Sequence, residues 1–166
     1  MRLSFLPYTL IFAFYGVCLG ILDYPEDIVA FVAENKGHSR EVAYLHCGMS
    51  EEEKGNYSKA LYLYNRSVSS GTDEQMHVFL AYRGCLYEKI NCCEKAKSDY
   101  DRAIKLKPEC SGLYCLRGDL LSKLGKCDAS ERDLVKAVTI ANNIDKSFSE
   151  HVKRKHPEID WNQFSL

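Results

Sequence analysis

The 166-residue chain has no surplus of positive charge: 22 lysines and arginines face 23 acids, for a formal net charge of −1. Without a basic excess to neutralise phosphates, nucleic acid is set aside as a partner class. Beyond the first 22 residues, no run is apolar over the ~20 residues needed to span a bilayer. Cys-x-x-Cys is missing despite eight cysteines, and His-Glu-x-x-His is missing among five histidines, His38, His46, His77, His151 and His156. These absences remove the simplest thiol-redox and zinc-hydrolase chemistries. No serine or cysteine stands at a recognisable nucleophile spacing from a histidine. The sequence therefore predicts no enzyme, no cofactor and no metal site.

What is present starts with residues 1–20, MRLSFLPYTLIFAFYGVCLG. Arg2 supplies a positive start, residues 3–15 are almost wholly apolar, and Gly16, Cys18 and Gly20 precede the acids Asp23, Glu26 and Asp27. That order is the order of a secretory signal peptide, cleaved after Cys18 or Gly20. An uncleaved membrane anchor and a buried helix are the alternatives. The expected location is secreted or in the lumen of the endoplasmic reticulum, or membrane-anchored if the segment stays. In that setting, Asn56-Tyr57-Ser58 and Asn65-Arg66-Ser67 are acceptor triplets for N-glycans.

The rest of the chain is organised by self-similarity. Gly84, Tyr100 and Ala103 recur 34 residues later as Gly118, Leu134 and Ala137. Gly84, Tyr100 and Ala96 recur 36 residues earlier as Gly48, Tyr64 and Ala60. In the middle unit, one helix is expected from about Asp73 to Ile90, a turn at Asn91, and a second helix from about Cys93 to Leu106, stopped by Pro108. Gly84 is expected to face Ala96 across this hairpin, with Tyr87 and Tyr100 beside them. Residues 24–36 read as a preceding helix, with Ile28, Phe31 and Val32 on one face. Residues 144–156 read as a capping helix with Ile144, Phe148 and Val152 in one stripe. For the tail, residues 157–166, docking through Trp161 and Phe164 and hanging free are both open.

Leu80, Gly84, Tyr87, Ala96, Tyr100, Ala103 and Pro108 resemble one complete tetratricopeptide repeat. Tyr114, Gly118, Leu121, Gly125, Leu134 and Ala137 carry the pattern into a third unit, which departs from it at Ser130 and Asn142. Tyr44, Gly48, Gly55, Tyr57, Ala60 and Tyr64 carry it into a first, which departs at Glu51 and Ser67. The resemblance covers residues 41–142 as units of about 41–74, 77–110 and 111–144. It implies an all-α, right-handed superhelical solenoid of helix-turn-helix repeats. Its first helices then line a concave groove that holds a peptide or helix of a partner protein.

Carried over by position, the groove residues are Val42, Leu45, Met49, Val78, Ala81, Cys85, Cys115 and Asp119, with Glu52 and Glu88 also toward the rim. Some cytosolic relatives clamp an acidic chaperone tail between cations on the first helices. The matching positions here hold Leu45, Met49, Tyr82, Gly112 and Leu116, so that clamp is not expected. An apolar helix, with a basic flank, fits the resemblance better. The implied function is a non-enzymatic scaffold or co-chaperone-like adaptor. A secreted effector, an accessory module of an enzyme complex and a self-assembling structural protein are the alternatives. Cys92 and Cys93 fall at a turn and a helix start, and Cys93 and Cys127 are equivalent in register. Apolar packing, disulfide bonding, and metal or catalytic use are open for them, with packing first.

Overall fold

The computed structural model describes residue 37 and residues 39–72 and 74–164; the expected signal or anchor and the helix over residues 24–36 lie outside these. Among the described residues, seven α-helices follow one another: α1 (Arg40–Glu53), α2 (Tyr57–Ser70), α3 (Met76–Lys89), α4 (Cys93–Leu106), α5 (Ser111–Lys123), α6 (Cys127–Asn142) and α7 (Lys146–Lys155). They pair as three helix-turn-helix hairpins with α7 at the end. Neighbouring hairpins meet where α2 packs on α3 and α4 on α5, and α6 receives α7. No described helix is long and apolar enough to cross a membrane.

Each hairpin turn is built the same way. Gly55, Asn91 and Gly125 have φ of 79°, 59° and 70°, the left-handed conformation that glycine and asparagine tolerate best. The next amide reaches back across the turn: Asn56 to the Glu51 carbonyl, Cys92 to Tyr87 and Lys126 to Leu121, at 2.8–2.9 Å. This is the Schellman closure, which satisfies carbonyls that a helix end leaves open. The α3 boundary is shorter than the sequence pattern predicts, starting at Met76.

The small residues sit where two helices touch. A Cβ added at Gly84 lies 2.5 Å from Cε1 of Tyr100, and one at Gly48 lies equally near Tyr64. The atoms nearest Gly84 across the hairpin belong to the Tyr100 ring, one of the two tyrosines expected beside Gly84 and Ala96. Ala96 is buried beside that ring with Leu120, while Tyr87 packs on the edge of the cluster. Ala60, Tyr64, Ala103, Leu134 and Ala137 are fully buried, and Tyr44 nearly so. Ser67 and Ser130, where two units depart from the repeat pattern, are buried without being orphaned. Ser67 Oγ donates to the Glu41 carbonyl at 2.9 Å, and Ser130 Oγ to the Gly118 carbonyl at 2.8 Å.

The C-terminal cap differs from the expected stripe in one member. Ile144 precedes the helix and is 78% exposed. Asp145 takes the N-cap instead, accepting from the Phe148 amide at 3.1 Å. Val152 and Ile159 are buried against Leu134 and Val138, with Phe148, Trp161 and Phe164 packed around them. Trp161 Nε1 donates to the His156 carbonyl at 3.1 Å, so the described tail is docked. Because Phe148 is only half-buried, Phe148→Ala should cost less than the ~3–5 kcal/mol of a fully buried phenylalanine. Val152→Ala, at a site with no exposure, should lower the thermal midpoint by several degrees. Equal melting of wild type and Val152→Ala would mean that α7 is not docked.

Candidate binding face

Helical spacing aligns Val42, Leu45, Met49 and Glu52 on α1, Val78, Ala81, Cys85 and Glu88 on α3, and Gly112, Cys115 and Asp119 on α5. Their surroundings differ. Val42, Met49 and Val78 are partly buried against one apolar cluster, and Ala81 against the next. Cys85 and Leu116 border the Tyr100 cluster. Tyr82 remains 37% exposed, its ring 6.4 Å from that of Tyr64.

Three expected groove residues are placed otherwise. Leu45 is 7% exposed and packs among Ala60, Tyr64, Phe79 and Leu86, inside the core where α1, α2 and α3 meet. Cys115 packs on the cluster that holds α7 and the tail. Asp119 is taken by the cap: His156 Nε2 stands 2.8 Å from one oxygen and Lys155 pairs with the other. The partly exposed apolar part of the face is therefore centred on α1 and α3, with Gly112 and Leu116 of α5 continuing it and Asp119 at its edge.

Two buried tyrosines anchor acids at the ends of these helices. Tyr64 Oη donates to Glu52 and Tyr100 Oη to Glu88, each at 2.7 Å, and Tyr100 Oη lies 3.4 Å from Cys85 Sγ. Burial, reinforced by the neighbouring acids and, at Tyr100, by Cys85, pushes both phenols far above their ordinary range. Burial also raises the Cys85 thiol, and it lifts Cys115, with Asp119 beside it, to about 11. Neither thiol is a ready nucleophile at neutral pH. Cys85, Cys92, Cys93, Cys110, Cys115 and Cys127 are free thiols. Among the described residues, no group of three or more His, Cys, Asp or Glu is placed to hold a metal ion.

The sequence pattern passed over the residues that join one hairpin to the next. Arg83 donates to both oxygens of Asp99 at 2.7 Å and to Asn65 Oδ1 at 2.9 Å, tying α3 to α4 and α2. Arg117 repeats this with Asp133 at 2.7 Å and Asp101 at 2.6 Å. The signal lay in the same offsets, since Arg83 and Arg117, like Asp99 and Asp133, are 34 apart, and Asn65 and Asp101 are 36 apart. Of the glycan acceptors, Asn56 and Asn65 are both exposed, but Ser67 of the second triplet is fully buried.

The tetratricopeptide repeat family model matches residues 111–144, the third hairpin. No curated protein matches the chain in sequence. Among solved structures, the second tetratricopeptide domain of Spaghetti (RPAP3), bound to the HSP90 peptide SRMEEVD, is 25% identical. The match covers 60% of this chain and 91% of that one, with a TM-score of 0.55. The type III secretion translocator chaperone SycD of Yersinia enterocolitica is 14% identical, over 76% of this chain and 96% of that one, at a TM-score of 0.66. PcrH, in complex with the chaperone-binding region of PopB, is 12% identical, over 71% and 92%, at 0.62. The fold of the described residues is thus the one shared with these tetratricopeptide structures, and its third hairpin matches the repeat's own model.

Proposed function

We propose that the protein is a non-enzymatic adaptor of the secretory pathway that holds an amphipathic helix or apolar peptide of a partner protein on the face of α1, α3 and α5. The observation that carries this reading is the chemistry of the positions where relatives clamp a carboxylate. Met49, Tyr82, Gly112 and Leu116 offer no cation there, and Val42, Val78, Ala81 and Cys85 surround them as partly exposed apolar groups. The PcrH and Spaghetti complexes support it by analogy, since each holds a segment of another protein.

Titration of the full chain with an apolar amphipathic helical peptide and with the acidic peptide SRMEEVD tests it. The helical peptide should bind at micromolar concentration or tighter, and Val78→Glu should weaken it at least tenfold while leaving the helical signal intact. Tight binding of the acidic peptide, lost on amidating its terminal carboxylate, would overturn the reading.

The secretory location rests on the order of charge, apolar run and small residues in residues 1–20. Expressed in a secreting eukaryotic cell, the product should start near Leu19 or Ile21 and carry a glycan at Asn56. A membrane-bound product still starting at Met1 would make the segment an anchor.

A further inference from the structure

The rim of this face turns ammonium groups, rather than its carboxylates, toward solvent, although each pair is neutral as a whole. Glu52, Glu88 and Asp119 each receive a lysine from the next helix but one: Lys89 on Glu52, Lys123 on Glu88 at 2.9 Å, and Lys155 on Asp119. The two members of each pair are unequally exposed. The carboxylate side chains retain 12%, 13% and 16% of their surface, the lysines 55%, 69% and 49%. Second contacts hold the acids inward, from Tyr64, Tyr100 and His156 respectively. Solvent therefore meets three ammonium groups along this edge. An ammonium has three donors, and the carboxylate beneath occupies one of them. Glu52 and Glu88 hold the Lys89 and Lys123 amines above their ordinary range, so both are charged at neutral pH.

Position ties this row to the apolar face. Lys89 follows Val78, Tyr82 and Cys85 at helical intervals on α3, and Lys123 follows Gly112 and Leu116 on α5. Lys89 and Lys155 end α3 and α7 and Lys123 ends α5, so the three amines mark the same end of successive layers of the stack. A basic flank on a partner would have to displace the lysines to reach carboxylates sunk beneath them, whereas an acidic flank meets donors that already point outward.

Resting on the binding reading above, we infer that the partner is an amphipathic helix with an acidic flank. Its apolar residues lie over Val78, Tyr82 and Cys85, and its carboxylates bridge the row Lys89, Lys123 and Lys155. The acidity belongs to the side of the helix, not to a chain terminus.

Three synthetic helical peptides with one leucine stripe and a flank of glutamate, glutamine or lysine test this by fluorescence anisotropy with the full chain. The glutamate peptide should bind best and the lysine peptide worst. The glutamate peptide should exceed the glutamine peptide by about tenfold at low salt. The gap should close in 1 M salt, where the screening length falls to about 3 Å. Lys89→Gln/Lys123→Gln/Lys155→Gln should erase the preference and leave the glutamine peptide bound as before. Glu52→Gln/Glu88→Gln keeps the amines, removes their carboxylates, and should tighten the glutamate peptide further, which reads the rim without depending on the triple variant. Equal affinities, a preference for the lysine flank, or a preference that survives the triple variant would overturn the inference and leave the apolar face standing. Failure of all three peptides to bind would remove the apolar face as well.

Discussion

Asp99→Ala should lower the free energy of unfolding by about 3–5 kcal/mol, a large part of the roughly 5–15 kcal/mol that holds a domain folded. Asp99 keeps 5% of its side-chain exposure and Arg83 14%, so the pair is well withdrawn from water. The guanidinium is matched on both Asp99 oxygens at 2.7 Å. Removing the carboxylate leaves a charge that cannot be shed, with only Asn65 Oδ1 and the Tyr87 ring, 5.8 Å from its carbon, for company. The cost is that of stranding the arginine, not the worth of the pair. Arg83→Met/Asp99→Leu should therefore recover most of the loss. The first hairpin already makes such an exchange, with Cys47 and Leu63 where the second has Arg83 and Asp99. Urea unfolding followed by circular dichroism measures both variants. A midpoint for Asp99→Ala within 0.5 kcal/mol of wild type, at unchanged slope, would mean that the arginine finds water or another acid and is no clip.

The recurrence of small residues and tyrosines at 34 and 36 residues made the hairpins legible, because close helix contact demands small groups and does so at every repeat. The turn was legible at Asn91, and Gly55 and Gly125, kept in the pattern at the same offsets, adopt the same left-handed conformation. The arginine clips were missed although they obey the same offsets. A charged position in a helix usually reads as solvated surface, whereas an apolar one reads as packing. Nothing in the sequence says which member of a Glu–Lys pair is sunk. That depends on Tyr64 and Tyr100 reaching across the hairpin to the shorter acid, which leaves the longer lysine stem on the outside. The engagement of Asp119 by His156 joins residues 37 positions apart through the last helix, outside the repeat register. No offset announces it.

Leu45→Glu should unfold the first hairpin or cost about 4 kcal/mol or more, although its place in the repeat reads as groove floor. The neighbours decide this. Leu45 packs among Ala60, Tyr64, Phe79 and Leu86, with Val42, Met49 and Val78 at the edge of the same cluster. Apart from the Tyr64 hydroxyl, which already serves Glu52, these groups offer a carboxylate no side-chain hydrogen bond. A glutamate there loses its hydration without compensation, so its folded pKa must rise above the ordinary ~4.3. The sign of the pH effect follows. A raised pKa in the folded state means that the folded variant holds its proton longer than the unfolded one, so stability is lost as pH rises. The gap between wild type and variant should be small near pH 4 and wide at pH 8. Val78→Glu, at a half-buried site on the adjacent helix, should cost far less stability and fall mainly on ligand affinity. Denaturation midpoints of the two variants at both pH values, beside peptide titrations, separate core from binding face. A Leu45→Glu protein as stable as wild type at pH 8, yet unable to bind the apolar peptide, would return Leu45 to the groove.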